Sequence, residues 1–274
     1  MALGNIAKRV LVSVITIPLI LAVSFYGNWY FFLFVLIIAL ISFYEFCLMV
    51  KNKGANANLL LGFAAIIFFS LNGCRYIFDS YSFLLAFIVV LSLVELFRNK
   101  NSPVYNIGST FLGVFYIGLF ASSLIDIREF YPAIGNNYDK GGYIIISMFV
   151  TIWICDSAAF FGGTSFGKHK LFPRVSPNKS WEGAIFGFIF AVIAMIFAKI
   201  ILLDFLSWQT IIALGIIIGI IGQLGDLVES LIKRDAGVKD SSNLIPGHGG
   251  IFDRFDSILF TAPVVLLYLK YISR

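Results

Sequence analysis

The sequence predicts an all-α fold: a polytopic integral membrane protein of about nine transmembrane helices, N-terminus inside and C-terminus outside. Three observations predict it. Of 274 residues, 59% are hydrophobic and only 13% charged, against about 25% charged in a soluble domain. Apolar runs recur at lengths that suit a bilayer. The basic residues also distribute unevenly, and in alternation, between the loops that join those runs.

Nine apolar segments carry the fold: 10–26, 30–50, 59–73, 81–97, 107–125, 142–163, 183–203, 208–227 and 257–273. At about 1.5 Å of rise per residue, most can cross a hydrocarbon core of about 30 Å. The third is short, and is expected to be tilted, re-entrant or set in a thinned bilayer. Lys8-Arg9 ahead of the first run, with Ala22-Val23-Ser24 behind it, imitates a secretory signal and cleavage site. It is read here as a retained first membrane helix. Glu45 and Glu95 fall near the inner ends of the second and fourth segments. Each is expected to pair with a nearby Lys or Arg, or to snorkel to water. The loop 126–141, with Pro132, Gly135, Asn136, Asn137 and Gly141, carries turn chemistry.

Charge orients the chain. With the N-terminus inside, the inner loops hold Lys8, Arg9, Lys51, Lys53, Arg98, Lys100, Lys168, Lys170, Arg174, Lys179, Lys233, Arg234, Lys239 and Arg254. The outside keeps Arg75, Arg128, Lys140, Lys199, Lys270 and Arg274, so the split is fourteen to six. That topology accounts for most of the net charge of +5, and nucleic acid is not an expected partner. The 30 Phe residues read as lipid-facing and packing surface. Cys47, Cys74 and Cys155 lie far apart with no CxxC spacing, so neither a zinc site nor a disulfide framework is indicated.

Function is expected in the second half. Residues 1–140 read as an N-terminal scaffold of membrane helices, and 141–274 as a catalytic membrane region with cytoplasmic loops 164–182 and 228–256. The stretch 223–257 places Asp226, Glu229, Lys233, Arg234, Asp235, Lys239, Asp240, Asp253, Arg254 and Asp256 between two apolar runs. Ionisable groups among membrane segments are costly, and mark function by default. Asp226, Glu229 and Lys233 are spaced i, i+3 and i+7, one face of a helix if the eighth segment continues. Pro246 to Gly250 is expected to form a tight turn whose backbone N–H groups could approach an anion. Asp253 and Asp256 follow at i, i+3.

Two further constellations accompany it. Asp156 lies about midway along an apolar segment, where a carboxylate must face the interior or a water-filled cavity. The run Gly167 to Glu182 offers Lys168, Lys170, Arg174 and Lys179, with Pro173 and Pro177 stiffening the path. Four cations beside two prolines suit phosphate capture, although attraction to anionic lipid heads is an alternative. Ser180 with Glu182 looks like a helix entry, and His169 reads as a surface or hydrogen-bonding residue. Oxygen-only acids without a Cys or His cluster suit a hard cation such as Mg²⁺. Acids and cations together are the equipment for phosphoryl or nucleotidyl transfer.

The residues from Ser230 to Asp256 resemble the signature of the phosphatidate cytidylyltransferase (CDP-diacylglycerol synthase) family. Its offsets are Ser230, Lys233-Arg234, Lys239-Asp240, Pro246-x-His248-Gly249-Gly250 and Asp253-Arg254-x-Asp256. Gln223 to Ser230, and Cys155-Asp156 through Ser176-Pro177-Asn178-Lys179-Ser180-Trp181-Glu182-Gly183, are similar to it too. The family more often has Thr where Ser180 stands. The resemblance implies transfer of CMP from CTP to phosphatidate, giving CDP-diacylglycerol and pyrophosphate. It also implies Mg²⁺, with a second cation left open, and the lipid phosphate as nucleophile. Asp226 and Asp253 are the implied metal ligands, with Asp256 and Asp240 as second choices. Lys233, Arg234, Lys239 and Arg254 would hold triphosphate or lipid phosphate, with Lys179 and Ser176 completing the pocket. Ser230 joins the substrate-binding set, Asp156 and Glu182 would orient cations or basic side chains, and His248 would hold the turn or contact pyrophosphate. The implied partners are CTP, phosphatidate and membrane lipid, with a homodimer compatible. The implied location is a bacterial-type inner membrane with the site at its cytoplasmic face.

Two rival readings fit the sequence less well. A CDP-alcohol phosphotransferase would carry a run of DG, AR and spaced aspartates that is absent here. An ion- or proton-coupled transporter would use the intramembrane acids, but it has no need of a Lys-Arg-rich turn. Neither an internal repeat nor paired broken segments point to it.

Overall fold

The computed structural model describes residues 2–75, 79–132, 137–242, 244 and 249–272. His248, and with it Pro246 and Gly247 of the expected turn, lies outside the described residues, as do Gly135 and Asn136. The helices are α1 (Ala2–Tyr26), α2 (Asn28–Lys51), α3 (Leu59–Arg75), α4 (Ser80–Phe97), α5 (Pro103–Gly113), α6 (Phe120–Arg128), α7 (Tyr138–Phe166), α8 (Trp181–Ile201), α9 (Trp208–Asp235) and α10 (Phe252–Tyr271). A π-helical turn, Val114–Leu119, joins α5 to α6, so the fifth apolar segment is one rod of three pieces.

Among the described residues, six helices are long and apolar enough to cross a membrane: Asn28–Lys51, Ser80–Phe97, Pro103–Arg128, Tyr138–Phe166, Trp181–Ile201 and Trp208–Asp235. The apolar parts of α1 and α3, Val12–Tyr26 and Leu59–Gly73, are shorter. The chain is thus an integral membrane protein built of helices. One departure from the all-α expectation is a small antiparallel hairpin, β1 (Lys170–Phe172) and β2 (Ser176–Ser180), paired Lys170 to Ser180 and Phe172 to Ser176. Pro173 and Pro177 keep this segment out of a helix, because each lacks the N–H that a helix interior needs.

The chain divides into two compact units, 1–23, 28–126 and 233–255 in one, and 24–27, 127–232 and 256–274 in the other. In the first, Phe43 and Phe46 are fully buried, and Gly62 and Gly113 leave the room their rings occupy. Asn106, also fully buried, donates to Glu95 Oε1 at 2.5 Å and accepts from the Asn56 N–H. Arg98 bonds Glu95 Oε2 at 3.0 Å, the local pairing expected of Glu95. Asp79 caps α4: the Ser82 backbone N–H, joined by its hydroxyl, holds the Asp79 carboxyl below its ordinary value.

The second unit is organised by glycine and one arginine. Gly162 lies under the Phe186 ring, Gly187 against the Cys155 carbonyl, and Gly183 against the Ala159 carbonyl and Gly163. Small residues let α7 and α8 approach closely along the apolar length where lipid offers no competing drive. Arg128 is fully buried and donates to the carbonyls of Ser24 (2.8 Å), Phe25 (2.8 Å) and Tyr138 (3.0 Å). Its guanidinium also stacks 4.1 Å over the Tyr138 ring. Arg128→Met should cost about 2–4 kcal/mol, since it strips donors from buried carbonyls. Thermal unfolding of the purified protein checks this, with Arg128→Lys expected to recover only part.

Candidate active site

The site in the second unit starts from the end of α7. Gly167 closes that helix, the β1–β2 hairpin turns back, and Ser180 caps α8 by accepting the Gly183 N–H at 3.2 Å. Glu182, in the first turn of α8, ties the hairpin root: it accepts the His169 N–H and contacts His169 Nδ1 at 2.6 Å. His169 is thus the surface hydrogen-bonding residue expected. Lys179, late in β2, is delivered to α9, where its Nζ lies 2.6 Å from Asp226 Oδ2.

Helix α9 continues past its apolar run to Asp235, as the charge spacing required. Gly225 matters here. A Cβ there would lie 2.6 Å from Phe260 Cβ and 3.3 Å from the Asp256 carbonyl, so glycine permits the close crossing of α9 and the 256–271 part of α10. The crossing gathers Asp226, Glu229 and Asp256, whose ligand oxygens all lie within 4.8 Å of one another. Glu229 is fully buried and Asp256 nearly so, while Asp226 is half-buried. Ser230 Oγ bonds Asp226 Oδ1 at 3.3 Å, and Asp256 Oδ1 accepts the Ser257 N–H at 2.7 Å.

Three carboxylates this close repel one another unless a cation sits among them. Lys179 supplies one positive charge at Asp226. An all-oxygen donor set that is part buried and part open fits a hard divalent cation, which keeps free positions for water or phosphate oxygens. Glu229 was absent from the ligands expected from sequence, although its i+3 spacing from Asp226 was the signal that places it there.

The remaining residues have other surroundings. In the first unit, Lys233 and Asp253 form a buried ion pair at 2.7 Å, with side chains 11% and 6% exposed. The Asp253 carboxylate also accepts the N–H groups of Ser241 (2.9 Å) and Gly250 (2.8 Å) and the Ser241 hydroxyl (3.0 Å). Arg234 is exposed and bonds the Val238 carbonyl at 2.9 Å, while Lys239, Asp240 and Arg254 are exposed. In the second unit, Ser176 opens β2 opposite Phe172, and Asp156 is exposed on α7. An apolar cleft of about 540 Å³ runs beside α7 and α8, lined by Trp153, Ser157, Phe161, Gly162, Phe186 and Phe190 among others.

Glu45 departs from expectation. It is fully buried, pairs with no neighbouring Lys or Arg of α2, and accepts hydrogen bonds from Ser241, Ser242, Ile251 and Phe252. The physical reason is register: Lys51 is six residues on, outside the i+3 and i+4 reach at which Glu95 finds Arg98.

Membrane helices that bring three carboxylates together beside a lysine define a class: helical integral membrane proteins with a polar cluster at a helix crossing. Comparison with known proteins makes the class specific. The profile of the Cytidylyltransferase family matches residues 7–272, and the chain belongs to that family. It is 34% identical to the phosphatidate cytidylyltransferase of Bacillus subtilis, over 98% of this chain and 99% of the relative. It is 32% identical to that of a Synechocystis species over 96% of both, and 31% identical to that of Staphylococcus aureus over 95% and 98%.

Proposed function

We propose that the chain is a phosphatidate cytidylyltransferase that converts CTP and phosphatidate to CDP-diacylglycerol and pyrophosphate. The observation that carries this is the meeting of Lys179 with the Asp226–Glu229–Asp256 cluster, in a chain that matches relatives of that name end to end. A phosphate oxygen of the lipid attacks the α-phosphorus of CTP, the bond to the β-phosphate oxygen breaks, and pyrophosphate leaves. The nucleophile belongs to the lipid, so the protein's work is positioning and charge stabilisation. Lys179, which pairs with Asp226, would hold a phosphoryl oxygen; Lys233, Arg234, Lys239 and Arg254 would meet the remaining triphosphate and lipid phosphate charge.

Asp226, Glu229 and Asp256 would hold Mg²⁺, with Asp253 and Asp240 retained as alternatives and a second cation left open. Bound there, Mg²⁺ supplies charge neutralisation at phosphoryl oxygens. The cleft beside α7 and α8 suits acyl chains, which keep phosphatidate in the bilayer while its headgroup reaches the polar loops. The nine-span, N-in and C-out topology rests on the fourteen-to-six split of basic residues. It puts loops 164–182 and 228–256 at the cytoplasmic face of a bacterial inner membrane, where CTP is found. A homodimer is compatible with this architecture.

Purified protein incubated with labelled CTP, phosphatidate and Mg²⁺ should release CDP-lipid and pyrophosphate in equal amounts. Absence of product across several lipid environments would overturn the assignment. Cation flux in sealed vesicles that needs no CTP would favour the transporter reading instead.

A further inference from the structure

The geometry points to Glu45 as a positioning residue for cytidylyl transfer: its buried carboxylate fixes the start of α10, whose first turn carries Asp253. This rests on the reading that the Lys233–Asp253 hairpin takes part in the reaction. Glu45 stands on α2, about 200 residues from its partners. Oε1 accepts the Ser242 hydroxyl at 2.5 Å and the Ile251 N–H at 3.1 Å; Oε2 accepts the Ser241 hydroxyl at 3.0 Å and the Phe252 N–H at 2.8 Å. One carboxylate therefore ties residues 241–242, six residues past the end of α9, to residues 251–252 at the start of α10.

The entering arm explains why a carboxylate is used. Helix α10 begins at Phe252, and the N–H groups at a helix start have no partner within the helix. A negative group there is also favoured by the helix dipole. Glu45 thus caps α10 from another helix. Ser241 extends the effect, since its hydroxyl lies 3.0 Å from both Glu45 Oε2 and Asp253 Oδ2. Contacts then run from Glu45 through Ser241 to Asp253 and on to Lys233. Gly250 leaves the necessary space, because a Cβ there would collide with the Ser241 hydroxyl and both Glu45 oxygens.

Each Glu45 oxygen receives one backbone N–H, and a backbone N–H cannot reverse its role. In Glu45→Gln, whichever way the amide turns, its NH₂ faces one of those N–H groups. The variant keeps the shape of the side chain and breaks the cap. Its kcat should fall about 10- to 100-fold, the scale expected when reacting groups are misplaced by an ångström or less, with KM for phosphatidate changed little. Glu45→Asp, which keeps two acceptors on a shorter arm, should fall between. Ser242→Ala removes one donor from a half-buried position and should lower kcat by about threefold, a milder form of the same misplacement.

The test combines kcat and KM with hydrogen exchange of peptides covering 249–256 and the α8 segment 183–200, in full-length protein in lipid. Faster exchange in 249–256 alone, with the fall in kcat, supports the proposal. Wild-type kcat in Glu45→Gln and Ser242→Ala overturns it. Faster exchange in α8 as well overturns it too, by making Glu45 a general stability residue. Full activity in Lys233→Met would remove the premise that the hairpin takes part in the reaction, without disturbing the measured link between Glu45 and the loop.

Discussion

Asp226→Asn should lower kcat/KM by about 100- to 1,000-fold, the loss expected when one preorganised charge contact to a phosphoryl centre is removed. The protein should remain folded. The Asp226 side chain is 35% exposed and its Lys179 partner 30% exposed, so their ion pair adds at most about 1 kcal/mol of stability. The same carboxylate is one of the three oxygen donors gathered within 4.8 Å, and it holds Lys179 at 2.6 Å. Its removal would weaken the proposed cation site and release the lysine proposed to bind phosphate. Rates measured against Mg²⁺ concentration should show a raised Mg²⁺ requirement, while the unfolding temperature stays within a few degrees of wild type. More than half of wild-type activity at low Mg²⁺ would take Asp226 out of the site. Glu229→Gln should differ in kind: it removes a fully buried negative charge from beside Asp226 and Asp256, so activity should fall while the unfolding temperature without Mg²⁺ holds or rises.

The spacing of charges accounts for how much of this could be read in advance. The frame of helices was legible because apolar run length largely decides it: among the described residues each of the nine runs overlaps a helix, and six of those helices are long and apolar enough to cross a membrane. The cap at Ser180 and the extension of α9 to Asp235 were legible because both are local, within four residues of their signals. Glu95 was legible for the same reason, with Arg98 one turn on. Glu45 was not. The absence of a Lys or Arg at i±3 or i±4 was the available warning, but its real partners lie about 200 residues away. Asp253 and Asp256 also exceed local reasoning. Both sit on one helix end at i, i+3, yet one takes Lys233, Ser241 and Gly250 as neighbours and the other joins Asp226 and Glu229. The place of Asp256 depends on how the 208–232 part of α9 and the 256–271 part of α10 cross, which Gly225 permits and no pattern within a single helix records.

The buried pair separates holding the fold from doing chemistry. Asp253→Leu deprives four donors at once, the Lys233 ammonium, the Ser241 and Gly250 N–H groups and the Ser241 hydroxyl, and should cost about 3–5 kcal/mol. Lys233→Met leaves Asp253 accepting both N–H groups and the Ser241 hydroxyl, so its cost should be about half of that, nearer the loss of one charged hydrogen bond. Lys233→Met should lose activity about 1,000-fold if the ammonium neutralises a phosphoryl oxygen in the transition state, and Asp253→Leu should lose a similar amount because it frees that ammonium from its anchor. The decisive variant is the double one. Replacing both charges with apolar groups commonly restores stability lost by breaking a buried pair. Lys233→Met with Asp253→Leu should therefore be no less stable than Asp253→Leu alone, and just as inactive. Unfolding and CDP-lipid formation, measured on the same four proteins, give both readings. If the double variant regained activity along with stability, the pair would be a brace for the hairpin, and the phosphate charge would have to be met elsewhere.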